Sequence, residues 1–235
     1  MRYFALVALA SCALWAQTST APSRSPILVE LFTSEGCSDC PPADHMLAQL
    51  DPHVVVLSEH VDYWDHQGWK DRFSSHEYTV RQEDYARRFQ IDGPYTPQMV
   101  VDGTAQFVGS DAKRAQEEIN KAAQRAKAQV KLTRAPGGVQ IDVEDAPSSA
   151  GVFLVLAEDS AASDVAAGEN KGRHLVHVAV LKSLRKVGSV KRGAGFSQVA
   201  PLPATAAEQR VVVFLQEGTS GPVVGAAELS GKTLP

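Results

Sequence analysis

A C-x-x-C motif lies between an apolar run and a helical pattern in the stretch ILVELFTSEGCSDCPP, residues 27–42. The apolar run, Ile27–Phe32, has the length and the flanking turn residues of a buried strand. The motif is Cys37-Ser38-Asp39-Cys40, and the only other cysteine of the chain is Cys12, near the N-terminus. We therefore expect the thiol chemistry of the mature protein at Cys37 and Cys40.

The N-terminus has the pattern of a secretory signal peptide. Arg2 is followed by an uncharged, mostly apolar run, and Ala16 is a small residue at a suitable cleavage point. We predict that residues 1–16 are a cleaved signal peptide and residues 17–24 a linker. The apolar run is too short to cross a membrane, so no transmembrane span is expected. The predicted location is periplasmic or secreted, where a disulfide can persist.

A second interpretation of the leader concerns Cys12. The sequence Leu9-Ala10-Ser11-Cys12 resembles a lipobox, in which a lipid on the cysteine anchors the protein to a membrane. The leader before Cys12 would be unusually short for a lipoprotein. The lipid anchor is therefore the less favoured interpretation.

The composition is that of a globular protein with a sizeable core. The chain has 235 residues, of which 44% are apolar and 21% charged, enough for two domains. Its formal net charge is −4, and loss of Arg2 with the leader changes this to −5. Such an acidic protein is not expected to bind nucleic acid or an anionic membrane surface.

The order of the predicted elements in the first half is that of a thioredoxin fold. Strands are predicted at residues 27–32, 54–57, 98–101 and 105–108, and helices at about 43–50, 75–89 and 111–128. Asp102-Gly103, between the last two strands, is a typical hairpin dipeptide. Thr96-Pro97 immediately precedes the third strand, where thioredoxin-like proteins have a cis proline that faces the C-x-x-C. The cis or trans state of Pro97 is not readable from sequence.

Short β runs separated by Gly and Pro turns follow in the second half. They are predicted at residues 130–132, 139–143, 151–156, 175–181, 210–215 and 223–229. Six such strands suggest a small antiparallel sandwich. The predicted fold class is thus an α/β thioredoxin-like domain, residues 25–128, followed by a smaller antiparallel β-sandwich domain, residues 129–235.

The chain also resembles a known family through several long motifs. They are LFTSEGCSDCPPAD at residues 31–44, HVDYWD at 60–65, GWKD at 68–71, YTPQ at 95–98 and GEN at 168–170. They are similar to those of a family of secreted bacterial proteins with a thioredoxin-like domain, catalogued as a domain of unknown function. The resemblance covers nearly the whole mature chain. It implies a fold but leaves the reaction open.

A thioredoxin-type site would use the motif for thiol–disulfide exchange. Cys37, at a helix N-terminus, would be the attacking thiolate and Cys40 the resolving one, while Thr96 and Pro97 would orient the partner's backbone. The negative charges of Glu35 and Asp39 oppose ionisation of Cys37. We therefore expect a reducing or isomerising protein-disulfide oxidoreductase that acts on extracytoplasmic protein thiols or disulfides without a cofactor.

Two other functions use the same cysteines. In the first, Cys37, Cys40 and His60 bind Cu(I) as a metallochaperone, because two thiolates and an imidazole suit this soft ion; the competing interpretation makes His60 a strand-end histidine bonded to a neighbour such as Asp62. In the second, Cys37 and Cys40 form a structural disulfide in a non-catalytic binding protein. No second cysteine pair is present that would complete a zinc site.

The remaining candidates are weaker. The aromatic residues Tyr63, Trp64, Trp69 and Phe73 could line a groove for a peptide-like partner, although core packing under a long loop is favoured. Residues 168–172, Gly-Glu-Asn-Lys-Gly, are interpreted as an exposed turn without chemistry of its own. The chain has no hydrolase, P-loop or dinucleotide-binding motif.

Overall fold

The computed structural model of the protein describes residues 25–50 and 54–230 of the 235-residue chain. The predicted signal peptide, the linker at 17–24 and the candidate lipid-bearing Cys12 lie outside the described residues. In the part that is described, no helix is long and apolar enough to span a membrane.

The described elements follow the predicted order in the first half. They are β1 Ile27–Thr33, α1 Pro41–Ala48, β2 Val54–His60, α2 His76–Phe89, β3 Gln98–Val101, β4 Ala105–Val108 and α3 Ala112–Ala122. The second half has β5 Gln129–Ala135, β6 Gly138–Glu144, β7 Ala150–Asp164, β8 His174–Val190, β9 Phe196–Pro201, a 3-10 turn Ala204–Glu208, β10 Arg210–Gln216 and β11 Val223–Leu229.

The molecule is a mixed α/β protein built on one large sheet and one small one. The large sheet has eight strands in the order β11-β10-β7-β8-β2-β1-β3-β4, and the small sheet has three, β5-β6-β9. Within the first half, β1 pairs in parallel with β2 and antiparallel with β3, which in turn pairs with β4. The strand that leads into the C-x-x-C is therefore central in the sheet.

The helices of the first half cover both faces of this sheet. Residues of α1 and α3, including Leu47 and Ala115, pack with Val29 and Leu31 of β1 on one face. Tyr78 of α2 packs with Leu28 on the other. Strand residues alternate between faces, so every residue of β1 is buried, as the continuous apolar run predicts.

The predicted hairpin at Asp102 is present and also joins the two halves of the chain. Asp102 takes a positive φ of 47°, and its backbone N–H donates to Leu28 of β1. Its backbone carbonyl accepts from Val223 of β11, and its carboxylate contacts Lys127 Nζ at 2.7 Å. This ion pair, and the bond from Ala128 N–H to Val224, draw the chain away from α3, which ends at Ala122 and not at Ala128 as expected.

The strands of the second half are antiparallel to one another and longer than expected. β7 and β8 reach 15 and 17 residues and pair along most of their length. The small sheet packs against β7 and β10 through a shared core that includes Ile141, Leu154 and Val213. Strand β9, which the sequence analysis missed, completes this small sheet beside β6.

The large sheet runs without interruption across the predicted domain boundary. β8 of the second half pairs with β2 of the first at Ser58 and Val180, in parallel. The expected sandwich strands thus also extend the sheet of the first half. The division into residues 25–128 and 129–235 as separate domains stays a prediction.

Candidate functional site: a covered disulfide above buried charges

Cys37 and Cys40 form a disulfide at the start of α1. Cys40 is the N-cap residue of the helix, and Pro41 occupies its first turn, where a missing N–H is not needed. The turn is closed by a bond from Cys40 N–H to the Cys37 carbonyl. Both cysteines are almost fully buried, with 1% and 0% of their surface exposed, while Ser38 and Asp39 between them are exposed.

The segment between β7 and β8, residues 165–173 and here called the cover, binds the loop that carries this disulfide. Asn170 is fully buried, and its side-chain amide donates to the carbonyl oxygens of Glu35 at 2.9 Å and Cys37 at 2.8 Å. The Glu169 carboxylate accepts the backbone N–H of Ser38 at 3.0 Å. The expected exposure of residues 168–172 was therefore wrong for Asn170, because its partners lie more than 130 residues away in sequence.

Glu35, two residues before Cys37, is a buried carboxylate with several partners. Its Oε2 accepts from the indole of Trp69 at 2.8 Å, and its backbone N–H donates to Asp71 at 2.9 Å. Burial, and to a smaller extent the charge of Asp71, raise the pKa of Glu35, but His177, Ser163 and Trp69 together lower it below its ordinary value. Glu35 therefore carries a negative charge beneath the disulfide at neutral pH.

His177 of β8 lies between two carboxylates and is buried. Its Nε2 is 3.5 Å from Glu35 Oε1, and its Nδ1 is 3.6 Å from Asp44 Oδ2 on α1. Burial lowers the pKa of this imidazole, but Asp44 and Glu35 outweigh burial and raise the pKa to about 9. His177 is thus a buried cation that connects the loop before Cys37 with the helix after Cys40.

His60 ends β2 and forms a second buried acid–imidazole pair. Its Nδ1 is 2.6 Å from Asp71 Oδ2, and its ring contacts that of His177 edge to face, with centroids 4.6 Å apart. Burial raises the pKa of Asp71, but the interaction with His60 and the backbone bonds to the carboxylate lower it overall. A neighbour such as Asp62 was the expected partner of His60, but the residue bonded to His60 is Asp71.

Buried polar atoms without a hydrogen-bond partner are concentrated in this region. Among the described residues they include Glu35 Oε1, Asp44 Oδ1, His60 Nε2, Ser163 Oγ, Asn170 Oδ1 and both ring nitrogens of His177. Buried polar groups are normally paired. For His177 and Glu35 Oε1 the charge contacts of 3.5 and 3.6 Å described above take the place of close hydrogen bonds.

Thr96 and Pro97 lie next to the same loop. The Thr96–Pro97 peptide bond is cis. Thr96 Oγ1 accepts from the indole of Trp64 at 2.8 Å, and a Cβ placed on Gly36 would be 3.1 Å from the Trp64 Cβ. Trp64 thus links Thr96 to the residue before Cys37.

Pro97 is placed against the start of α1 by a close packing contact. A Cβ on Gly109 would be 3.1 Å from both Pro97 Cβ and Ala43 Cβ, so these two residues face the same small space. Such a Cβ would also lie 2.7 Å from Leu31 Cδ1, so a side chain at residue 109 would force a neighbour to move. The structure thus brings Cys37, Cys40, Thr96 and Pro97 into one region, although their roles stay predictions.

The four aromatic residues of the irregular segment between β2 and α2, residues 61–75, contact both the site and the core. Phe73 is buried against the rings of His60 and His177, whereas Tyr63, Trp64 and Trp69 are half-buried and each donate a hydrogen bond. These four aromatic side chains therefore do not form a continuous apolar surface.

The Cu(I) hypothesis with Cys37, Cys40 and His60 stays a prediction. Across residues 25–50 and 54–230, no group of three or more His, Cys, Asp or Glu side chains has an arrangement that could hold a metal ion. The cysteines are joined in a disulfide, and one nitrogen of His60 is occupied by Asp71.

A second buried charged cluster lies on the α2 face of the sheet. Arg81 Nε donates to Glu30 Oε1 at 2.8 Å, and the Tyr85 hydroxyl donates to the other oxygen of Glu30 at 2.6 Å. Burial first, and then the charge of Glu30, raise the pKa of Glu59 well above its ordinary value. The cluster fixes α2 on β1 and β2, and it connects to β10 through Gln216.

Comparison with known proteins gives a family and two similar structures. A crystal structure of protein AGR_C_4864 from Agrobacterium tumefaciens is 28% identical and has a TM-score of 0.78, covering 89% of this chain and 96% of that one. HBP35 of Porphyromonas gingivalis has a TM-score of 0.58 at 14% identity, over 88% of this chain and 75% of that one, a likeness of fold alone. No curated protein matches this chain.

Fold and site together define a mixed α/β protein with a covered disulfide at a helix start. The chain belongs to the family described as protein of unknown function (DUF1223), whose model matches residues 28–216. The match spans the C-x-x-C, its cover at Asn170 and the buried histidines. It confirms the resemblance to a family of unknown function.

Proposed function

We propose that this protein is an exported thioredoxin-fold oxidoreductase that exchanges disulfides with extracytoplasmic protein thiols through Cys37 and Cys40. The observation that carries the proposal is the position of the disulfide. It ends at the N-cap residue of α1, after the central strand of a β-α-β-α-β-β-α unit, and Pro97 faces the same small space at Gly109 as Ala43 of α1. A helix N-terminus stabilises a thiolate through free N–H groups and the helix dipole.

In the reducing direction, the two thiols of the motif are exchanged for the disulfide of the partner. The Cys37 thiolate attacks a partner disulfide, which forms a mixed disulfide and releases one partner thiolate. Cys40 then attacks the Cys37 sulfur, restores the Cys37–Cys40 disulfide and releases the second partner thiolate. Two electrons pass to the partner, and the protons of the two cysteines end on its thiols. An extracytoplasmic dithiol returns the motif to its reduced form.

The buried charges suit a reducing or isomerising role. Reduction of a buried disulfide places new negative charge where Glu35 and Asp71 already carry it, and His177 is the buried cation that offsets this charge. A strongly oxidising site depends instead on a much-stabilised thiolate. We therefore assign the protein to the reducing or isomerising class.

Insulin reduction by dithiothreitol, followed by turbidity, tests this proposal. The mature protein should accelerate precipitation, Cys37→Ser should abolish the acceleration, and Cys40→Ser should accumulate a covalent adduct with an insulin chain. Absence of both acceleration and adduct would overturn the proposal.

Burial of the disulfide favours a second function, that of a non-catalytic binding protein with a structural disulfide. Cys37 and Cys40 are as buried as the apolar core, and Asn170 closes the site. In that case Cys37→Ser would lower stability and leave partner binding intact. The redox midpoint potential separates the two functions.

A further inference from the structure

The segment between β7 and β8, residues 165–173, is hydrogen-bonded to the loop that carries the disulfide. Thiol–disulfide exchange requires an attacking sulfur to approach Cys37 Sγ directly. Only 1% of the Cys37 surface is exposed, and its carbonyl is bound by the buried Asn170. A partner therefore cannot reach Cys37 Sγ in this conformation.

Asn170 holds the cover through both hydrogens of one amide group. They go to the carbonyl oxygens of Glu35 and Cys37, on either side of Gly36. The oxygen of the same side-chain amide, Asn170 Oδ1, is buried and has no hydrogen-bond partner. The Glu169 carboxylate accepts the backbone N–H of Ser38, which follows Cys37 in the motif. The contacts to the motif are thus few, polar and made by two adjacent residues.

The cover is a compact unit with its own hydrogen bonds. Val165 N–H donates to the Arg173 carbonyl at 3.0 Å, and Gly172 N–H donates to Val165 at 2.7 Å. Arg173 N–H donates to the Asn170 carbonyl at 3.1 Å. Because these bonds lie within the segment, it can move away from the motif without losing its own structure.

Gly168 sets how closely the cover approaches the motif. Its φ is +74°, and a Cβ there would be 3.1 Å from the Trp69 Cβ. Trp69 is the residue whose indole binds Glu35. A side chain at residue 168 would be strained and would also push the segment from its seat.

We propose that residues 165–173 are a lid over the C-x-x-C and that Asn170 is its latch, so that a partner protein reaches Cys37 only after the latch opens. The proposal rests on the proposed oxidoreductase function. The lid gives the enzyme selectivity, since only a partner able to displace it is attacked. Its contacts to residues 35–38 are the bonds that such a partner must break.

The test measures how fast dithiothreitol reduces the disulfide. A dithiothreitol thiolate attacks Cys37, Cys40 leaves as a thiolate, and the second thiol of the reagent completes the two-electron reduction. Samples are quenched with acid, alkylated and counted by mass spectrometry. Asn170→Ala should react at least tenfold faster than the unchanged protein, whereas the exposed neighbour Lys171→Ala should react at the original rate.

Further variants separate lid opening from loss of stability. Ile141→Ala, a core truncation in the small sheet, destabilises the protein without touching the lid and should leave the rate unchanged in native buffer. Glu169→Ala removes the acceptor for the Ser38 N–H at an exposed residue and should also accelerate reduction. This variant replaces Asn170→Ala in the test if Asn170→Ala does not fold. Equal rates for the unchanged protein, Asn170→Ala and Glu169→Ala would overturn the lid, as would acceleration by Ile141→Ala to the same degree.

A different measurement, the midpoint potential, tests the proposed function. The midpoint potential of Cys37 and Cys40 is measured on the same proteins after full equilibration. A midpoint in the range of structural disulfides removes the oxidoreductase, while a rate difference between Asn170→Ala and Lys171→Ala still supports a cover over the disulfide. A midpoint in the catalytic range with equal rates keeps the oxidoreductase and overturns the lid.

Discussion

The indole N–H of Trp69 donates a hydrogen bond of 2.8 Å to the carboxylate of Glu35, two residues before Cys37. The bond crosses from the irregular segment after β2 to the loop that carries the motif. It helps hold a buried negative charge at a fixed place beneath the disulfide. The loop before Cys37 is thus positioned by a residue outside its own strand and helix.

Removal of this donor should weaken the fold and reveal coupling between the two residues. Trp69→Phe keeps a ring but leaves a charged acceptor short of a partner, and we expect a loss of about 1 to 2 kcal/mol in the free energy of unfolding. In a double-mutant cycle with Glu35→Gln, measured by urea denaturation, the two losses should not add. Strict additivity would show that the bond contributes nothing.

Stability should fall between mild acid and alkaline pH because of His177. Its pKa is about 9 in the folded protein and about 6.5 when unfolded. The contribution is therefore complete below about pH 6.5 and is lost as the pH rises through about 9. For a shift of this size it amounts to up to about 3 kcal/mol.

His174, three residues away on the same strand, supplies the control for that titration. It is exposed and pairs with the exposed Asp164. Urea denaturation at pH 6 and pH 9.5 should show a smaller pH-dependent loss for His177→Gln than for the unchanged protein, whereas His174→Gln should keep the original loss. An unaltered pH dependence in His177→Gln would contradict the buried cation.

The His60–Asp71 pair should be far more important to the fold than a surface pair of the same chemistry. Asp71→Asn removes the buried carboxylate that bonds His60 Nδ1 and the backbone N–H groups of Glu35 and Phe73, and we expect a loss of about 3 kcal/mol in the free energy of unfolding. Asp164→Asn breaks the matched pair with His174, whose Nδ1 to Oδ1 distance is a similar 2.7 Å but which is exposed. It should change the urea midpoint by no more than the error. Equal effects would show that burial of His60–Asp71 has no energetic consequence.

Arg81 should be the most sensitive basic residue of α2. Arg81→Met leaves Glu30 buried without its cation, next to Glu59, and such an unpaired charge costs about 3 to 5 kcal/mol. Arg87→Met, on the exposed side of the same helix, loses only surface pairs with Glu83 and Asp84 and should be nearly neutral. Thermal unfolding compares the two. A neutral Arg81→Met would contradict a paired buried cluster.

Local sequence patterns were sufficient for the elements of the first half. The apolar run Ile27–Phe32, the Pro41-Pro42 helix start and Asp102-Gly103 each specify their structure within a few residues. The expected strands and helices therefore lie close to their observed positions. The exception is the end of α3, which depends on Lys127 and Ala128 reaching Asp102 and β11.

Long-range relationships of the site were not accessible in the same way. His177 and Asn170 are 140 and 133 residues from Cys37, and nothing in their local sequence shows that β8 will pair beside β2. The turn composition of residues 168–172 predicts exposure correctly for Glu169 but not for Asn170. The family motif GEN at 168–170 was the available signal of this contact. Glu169 and Asn170 bond Ser38 and Cys37, which belong to the family motif that contains the C-x-x-C.

The midpoint potential of the Cys37–Cys40 pair tests the proposed function most directly. The mature protein is equilibrated with glutathione and dithiothreitol buffers of known potential, and its alkylated thiols are counted by mass spectrometry. We predict a midpoint between about −120 and −270 mV, within the span of catalytic dithiols, and towards the reducing end. A pair that stays oxidised below about −300 mV, where structural disulfides lie, would contradict the oxidoreductase.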